Sequence, residues 1–410
     1  MKLEEFMINA KDKLDPALYE MFESCFMKTI NTTLKPHCGG FVITGDIPAM
    51  WLRDSSAQVQ HYLPFVNDEP NLKEFIKDVI ARQMLFINHD PYANAFRDQF
   101  ALDKGYVFER KFELDSLCYP LSLAHSYHKL TNDDSIFTDS FRSAVSRILS
   151  VFEAQQYHNS CSQYKYTNND AFLAGVYTET LMNDGKGTPV NYTGMIWSGF
   201  RPSDDACTFG YNIPQNMFAI VVLGHIVDWA EQSLFDRTLC MTARQLQKQI
   251  EYGIATYGTV VHPKYGKMYA YETDGYGNHL LMDDANIPSL LSAPYLGFCE
   301  PTDPIYLGTR AFVLSKDNPY YYTGIFSGVG SPHTPIDHIW HLGSIMQAIT
   351  ETSQEESIRL INLIAVSTAG TNNMHESFHK DNPGNFTRSW FAWADSLFAE
   401  LILTHLYEMG

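Results

Sequence analysis

Hydrophobic positions along this chain recur at helical spacing far more often than they alternate. Leu72, Phe75, Ile76, Val79, Ile80 and Ile87 form one stripe over 70–88, and Phe137, Phe141, Val145, Ile148 and Phe152 form another over 134–156. Such stripes mark helices with one face turned to a core. The same spacing predicts helices near 16–33, 53–66, 115–131, 215–232, 236–256, 286–295, 305–314, 335–351, 354–369 and 389–408, about twelve in all. Strand-like alternation is confined to short stretches such as "GKMYAYET".

Several predicted helix starts share a local pattern. "GDIPAMW" (45–51), "YNIPQNM" (211–217) and "ANIPSLL" (285–291) place Asp or Asn, Ile and Pro ahead of an apolar run. Proline suits the first helical turn and Asn or Asp caps it. "HTPIDHIWHLGS" (333–344) reads as a fourth start, with Thr334 as cap and Asp337 completing a capping box. Polar groups flank each one: Arg53-Asp54, Asp204-Asp205, Asp283-Asp284, His333 and Asp337. Six helical hairpins closed into an all-α (α/α)6 barrel, with minor short β-hairpins, would bring these starts to one rim around a pit. A solenoid is the competing layout, but no repeat of fixed period is present. No linker or low-complexity tract divides residues 1–410, so one catalytic barrel domain is expected.

Composition narrows the partners. With 410 residues and a formal charge of −18, the chain can bury a large core, and it lacks the basic balance that nucleic acid or an anionic membrane surface requires. A neutral, polar substrate fits better. Aromatic residues make up 14%; they serve core packing, and their flat faces also suit sugars. The seven cysteines are spread without a C-x-x-C pair, which favours reduced thiols in a cytoplasm over disulfides or a zinc site. The N-terminal residues form no apolar signal core, and no run of about 18 apolar residues follows. A cytoplasmic monomer is expected.

Signatures of phosphate-binding loops, zincins and serine hydrolases are missing, and His375-Glu376 is followed by a histidine at the wrong spacing for metal ligation. No metal or other cofactor is expected. What remains are carboxylates set among aromatic residues. In "YTGMIWSGFRPSDDACTFGYNIPQNMF" (192–218), Asp204 and Asp205 lie beside Trp197, Phe200 and Tyr211. On spacing alone, capping of the next helix is the readier account of their position. A functional reading is that burial and like charge favour a protonated carboxyl, as a general acid needs. Glu376 lies in a polar loop between two apolar helices, where sites tend to sit; a surface glutamate is the alternative. Arg53-Asp54 offers donors beside an acceptor for adjacent sugar hydroxyls, with Trp51 supplying a face, or else a salt bridge at a helix start.

The stretches "DIPAMWLRDSSAQ", "FELDSLCYP", "YTGMIWSGFRPSDDAC", "MDDANIPSLL", "GSPHTP" and "MHESFH…FTRSWFAW" resemble glycoside hydrolase family 125. The resemblance runs from about residue 40 to 400. It implies an exo-acting α-1,6-mannosidase on an (α/α)6 barrel, inverting and without a catalytic metal, acting on mannose-containing oligosaccharides such as N-glycan fragments in a bacterial cytoplasm. By position, it implies Asp204 as general acid and Glu376 as general base. It places Arg53 and Asp54, and by extension Asp115, Arg201, Asp283 and His333, on the sugar-binding rim. The stretch 97–108 is shorter than the family often shows and lacks a tryptophan before Glu109-Arg110, which bears on the leaving-group side. Other (α/α)6 activities, a glucoside hydrolase or a disaccharide phosphorylase, and a non-catalytic sugar-binding module are the rivals.

Overall fold

The computed structural model describes residues 2–35 and 39–408. All but one of the expected helices are present, with ends shifted by a few residues. Pro16–Lys28, Pro70–His89, Asp139–Gln156, Arg237–Tyr257, Pro304–Val313 and Gln354–Val366 form an outer set. Leu52–Gln60, Leu114–Thr131, Ile213–Glu231, His341–Ile349 and Ala392–Glu408 form the inner set. Among the inner helices, Leu52–Gln60 packs on both Leu114–Thr131 and Ala392–Glu408, the second of which also contacts His341–Ile349. Leu114–Thr131 packs in turn on Ile213–Glu231. The result is an (α/α)6 barrel with small sheets at its rim. The main hydrophobic cluster runs from Phe6 to Leu406, and Ala49, Trp51 and Ala95 form a small second one at the rim.

Inner and outer helices differ as their environment demands. Arg237–Tyr257 buries only one stripe, whereas Ile213–Glu231 is apolar nearly all round and mostly buried. By length and composition that inner helix could cross a membrane; in this fold its neighbours supply the apolar surroundings. A helix over Leu3–Lys13, not expected from the periodicity, sets Phe6 against Phe22, Phe26 and Phe65.

The sixth inner position departs from expectation. Residues 286–295 form successive turns, with Ile287–Pro288 in the cis form. The Asp283 carboxylate accepts from the backbone N–H groups of Leu290 (2.9 Å) and Leu291 (3.1 Å). Ser289 and Ser292 hydroxyls accept from each other's N–H groups. Side chains thus take the donors that an α-helix would direct to its own carbonyls. The capping box over 334–337 is also absent. Thr334 accepts from the Trp340 indole instead (2.8 Å), Asp337 is left-handed (φ 66°), and the helix starts only at His341. Of the four echoed starts, only Asn212 is a side-chain cap, accepting from Gln215 N (3.1 Å). Alternation along the chain predicts little strand here, yet 95–109 forms a hairpin whose Ala95–Ala101 strand pairs with Met50–Trp51.

Candidate active site

The N-terminal ends of the inner helices gather at one rim, as the polar flanks suggested. A narrow pocket there is lined by Trp51, Arg53, Asp54, Asp204, His333 and Glu376, with Trp340, Phe391 and Trp393 closing it. Larger hollows exist elsewhere, one of about 440 Å³ at the far ends of the inner helices and one of about 470 Å³ beside Arg201. Size alone would choose them. Convergent carboxylates and indoles choose the narrow pocket, and chemistry is the better guide to a sugar site.

Trp51 ends a short strand, and Arg53 and Asp54 occupy the first turn of the helix that follows. Arg53 is nearly fully buried and forms the centre of a carboxylate cage. Its Nη1 reaches Glu113 (2.6 Å) and Asp115 (3.4 Å), its Nη2 donates to Asp204 (3.0 Å), and its Nε lies 3.4 Å from Asp54. It is therefore not the free hydroxyl-gripping fork expected from the sequence; its donors hold acids. Asp54 accepts from Thr44 Oγ1 through one oxygen, while its Oδ2 is buried without a hydrogen bond. The Trp51 indole N–H is also unpartnered. Buried polar atoms are rarely left so, and a hydroxylated ligand would satisfy both.

Asp204 sits in a tight turn in which Arg201 N donates to Asp205 O and Asp204 N donates to Arg201 O. Its backbone is left-handed (φ 67°), a conformation that aspartate tolerates better than most residues. Neither Asp204 nor Asp205 caps the helix that begins at Ile213, so the capping reading of this pair is wrong. Asp205 instead accepts from His333 Nδ1 (2.9 Å). Glu376 precedes the Ser377–His379 strand, which is clamped between His338–Trp340 and Asn382–Thr387. It is 7% exposed and lies 3.5 Å from Arg388 Nη1, whose guanidinium also pairs with Asp46.

Three expected rim residues lie away from the pocket lining. Asp115 is fully buried behind Arg53 and also accepts from Gln215 Nε2 (2.7 Å). Arg201 pairs with Glu272 (2.6 Å) and faces the neighbouring hollow. Asp283 organises the 286–295 turns, and burial pushes its carboxyl up to about 8 despite the two N–H donors. These are corrections: each supports the rim's architecture and none faces the pocket. Glu113 and Arg388, which the sequence reading passed over, belong to the site's charge network. The signal for Glu113 was an acid just ahead of a helix that already carried Asp115.

His333 is held cationic. Burial opposes its charge, but the hydrogen bond and charge of Asp205, with Glu376 and Asp204 nearby, raise it to about 9. An unfolded histidine titrates near 6.5. The stabilisation is therefore fully present below about pH 6.5 and lost as pH rises through about 9. Wild-type melting temperature should fall across that window, and His333→Gln should flatten the fall; an unaltered slope in the variant would place the titrating group elsewhere.

A helical barrel whose inner helix starts surround a pocket of carboxylates and indoles is the architecture of a glycoside hydrolase. Residues 15–403 match the family described as metal-independent alpha-mannosidase (GH125). The chain belongs to glycoside hydrolase family 125 and is an α-mannosidase. A solved Streptococcus pneumoniae structure, from a family of metal-independent alpha mannosidases and in non-productive complex with alpha-1,6-mannobiose, is 40% identical. It superposes with a TM-score of 0.95, covering 99% of this chain and 98% of its own. The meiotically up-regulated gene 157 protein of Schizosaccharomyces pombe is 41% identical over 98% of this chain and 85% of its own length. That relative takes the similarity outside bacteria and leaves the expected bacterial origin without support. A glucoamylase from Saccharomycopsis fibuligera, 11% identical with a TM-score of 0.59 over 99% of this chain and 96% of its own, shares the fold alone.

Proposed function

We propose that this α-mannosidase is an exo-acting, inverting α-1,6-mannosidase that removes terminal mannose from oligosaccharides such as N-glycan fragments. One observation carries the reading: Asp204 and Glu376, far apart in sequence, line the same narrow pocket. Asp204 protonates the glycosidic oxygen. Glu376 takes a proton from the water that attacks the anomeric carbon from the opposite face. In inverting enzymes the two carboxyl groups stand about 6.5–9.5 Å apart to admit that water. Asp54, whose Oδ2 has only the Arg53 ion pair and no hydrogen bond, and Trp51, whose indole N–H is unpartnered, receive the sugar hydroxyls, and His333 brings positive charge beside the acid. A pocket this narrow suits a chain end better than a chain interior, which supports exo action. The α-1,6 preference draws on the pneumococcal relative's mannobiose complex. A cytoplasmic monomer is part of the proposal, and the free cysteines among the described residues suit the reducing location.

Incubation with α-1,6-, α-1,3- and α-1,2-linked mannobiose, followed by NMR, tests linkage directly; preferred cleavage of either other linkage would overturn the assignment. Phosphorolysis is disfavoured because Arg53 and Arg388, the guanidinium groups lining the pocket, are engaged by carboxylates. Added phosphate should leave the rate unchanged. Activity should also survive exhaustive EDTA treatment, since the cation inside this carboxylate cage is a guanidinium. Loss with EDTA and recovery with calcium or zinc would contradict that.

A further inference from the structure

The hollow of about 440 Å³ at the far ends of the inner helices shares no lining residue with the active-site pocket. Tyr295, Leu296 and Gly297 wall it on the side where the sixth inner helix is missing. Tyr119 separates the two spaces. It lines the hollow and meets Trp393, an active-site residue, edge to face with ring centroids 6.1 Å apart.

Inside the hollow, aromatic rings surround an acid. Tyr119 and Phe218 stand nearly perpendicular, with centroids 5.0 Å apart, and form two adjoining walls. Tyr295 forms a third, and its hydroxyl donates to Glu400 Oε2 (3.0 Å). Glu400 belongs to the inner helix Ala392–Glu408 and is only partly exposed. Its surroundings offer it that hydroxyl and, among the described residues, no cation. A carboxyl withdrawn from water without a counter-charge is costly to ionise. Ring faces attract cations as well, and most strongly where water is excluded. A stacked imidazole pair, His125 and His225 (centroids 3.6 Å apart), also lines the hollow, and His225 Nδ1 is buried with no hydrogen-bond partner.

We propose that this hollow is a second ligand site, which takes a small hydroxylated alkylammonium ion. The Tyr119, Phe218 and Tyr295 rings enclose the cationic head, Glu400 supplies its counter-charge, and His225 Nδ1 pairs with the hydroxyl. The charges around the head permit this. Burial pushes the Glu400 carboxyl up to about 7, so it is neutral in acid and ionised above that value. Burial also holds both imidazoles below their ordinary value, so neither repels a cation at neutral pH. Tyr119 and Tyr295 are pushed up and stay uncharged. Lys129 is the one permanent cation on the lining, and it is exposed; Asp228, also exposed, lies 3.8 Å from His125.

Choline is the probe, read by isothermal titration calorimetry against its uncharged isostere, in which carbon replaces the nitrogen. Choline should bind saturably, and the isostere at least about tenfold more weakly. Choline keeps its charge at every pH, so its affinity should rise as pH passes through about 7 and Glu400 ionises. Glu400→Gln should cost at least about tenfold and flatten that rise. Mannose should not displace the ligand. Ser122→Phe, which fills the hollow from the Leu114–Thr131 helix, should abolish choline binding and leave mannobiose cleavage intact. That variant decides the question should Glu400→Gln fail to fold. No saturable binding would overturn the proposal. So would binding that mannose displaces, that the isostere matches, or that either variant leaves unchanged.

Discussion

Replacing Asp204 with asparagine should lower kcat/KM on α-1,6-mannobiose by roughly 100- to 10,000-fold, the usual contribution of a positioned general acid. The fold should survive, since Asn keeps an oxygen for Arg53 Nη2 and the same side-chain shape. An activated leaving group should lose far less, because its departure needs little protonation. Asp205→Asn is the instructive neighbour. Its carboxylate sustains the charge on His333 and does not cap a helix, so its loss should be intermediate, on the order of 10-fold, about 1.4 kcal/mol. The first-formed sugar should be β-mannose, because a single displacement inverts the anomeric centre. Early α-mannose by NMR, or equal losses in both aspartate variants, would overturn the assigned roles.

The second large effect concerns Arg53. Methionine there fills a similar volume but leaves Glu113, Asp115, Asp204 and Asp54 without their common counter-charge. Removing one partner of a buried ion pair costs about 3–5 kcal/mol, and here one residue serves several acids. Urea unfolding of Arg53→Met should show a loss of at least that order. The carboxyl groups would then prefer their protonated forms in the folded state, so their folded values rise above the unfolded values near 4. Stability of the variant should therefore recover as pH falls toward about 5 and decline as pH rises. A variant as stable as wild type at pH 7 would show that the cage is dispensable to the fold, and Arg53 would revert to a direct sugar-binding role.

Much of the fold was legible in the chain because helices packed between core and solvent write their environment as a stripe. Leu72, Ile76, Val79 and Ile80 are buried on the face the spacing indicated, and the Asn212 cap was read from its place ahead of Ile213-Pro214. The periodicity failed at 286–295, where apolar spacing persists but the Asp283, Ser289 and Ser292 side chains take over the backbone donors. It failed again at 95–109, where a hairpin forms against Met50–Trp51, a partner far away in sequence.

The sequence by itself determined the helical class, the clustering of polar groups at helix starts, and Asp204, Asp205 and Glu376 as candidate carboxylates on loops, with the family resemblance choosing Asp204 of the adjacent pair. Local spacing and residue chemistry are enough for these. Tertiary structure decided which polar groups face the pocket and which support it. Asp54 and His333 line it, while Asp115, Arg201 and Asp283 turn to Gln215, Glu272 and the 286–295 backbone. It also decided that Arg53 meets several carboxylates at once, with Glu113 and Asp204 on its two terminal nitrogens. Those outcomes depend on charges brought together from separate helix starts and loops, and their balance of attraction against desolvation exists only once the barrel has closed around them.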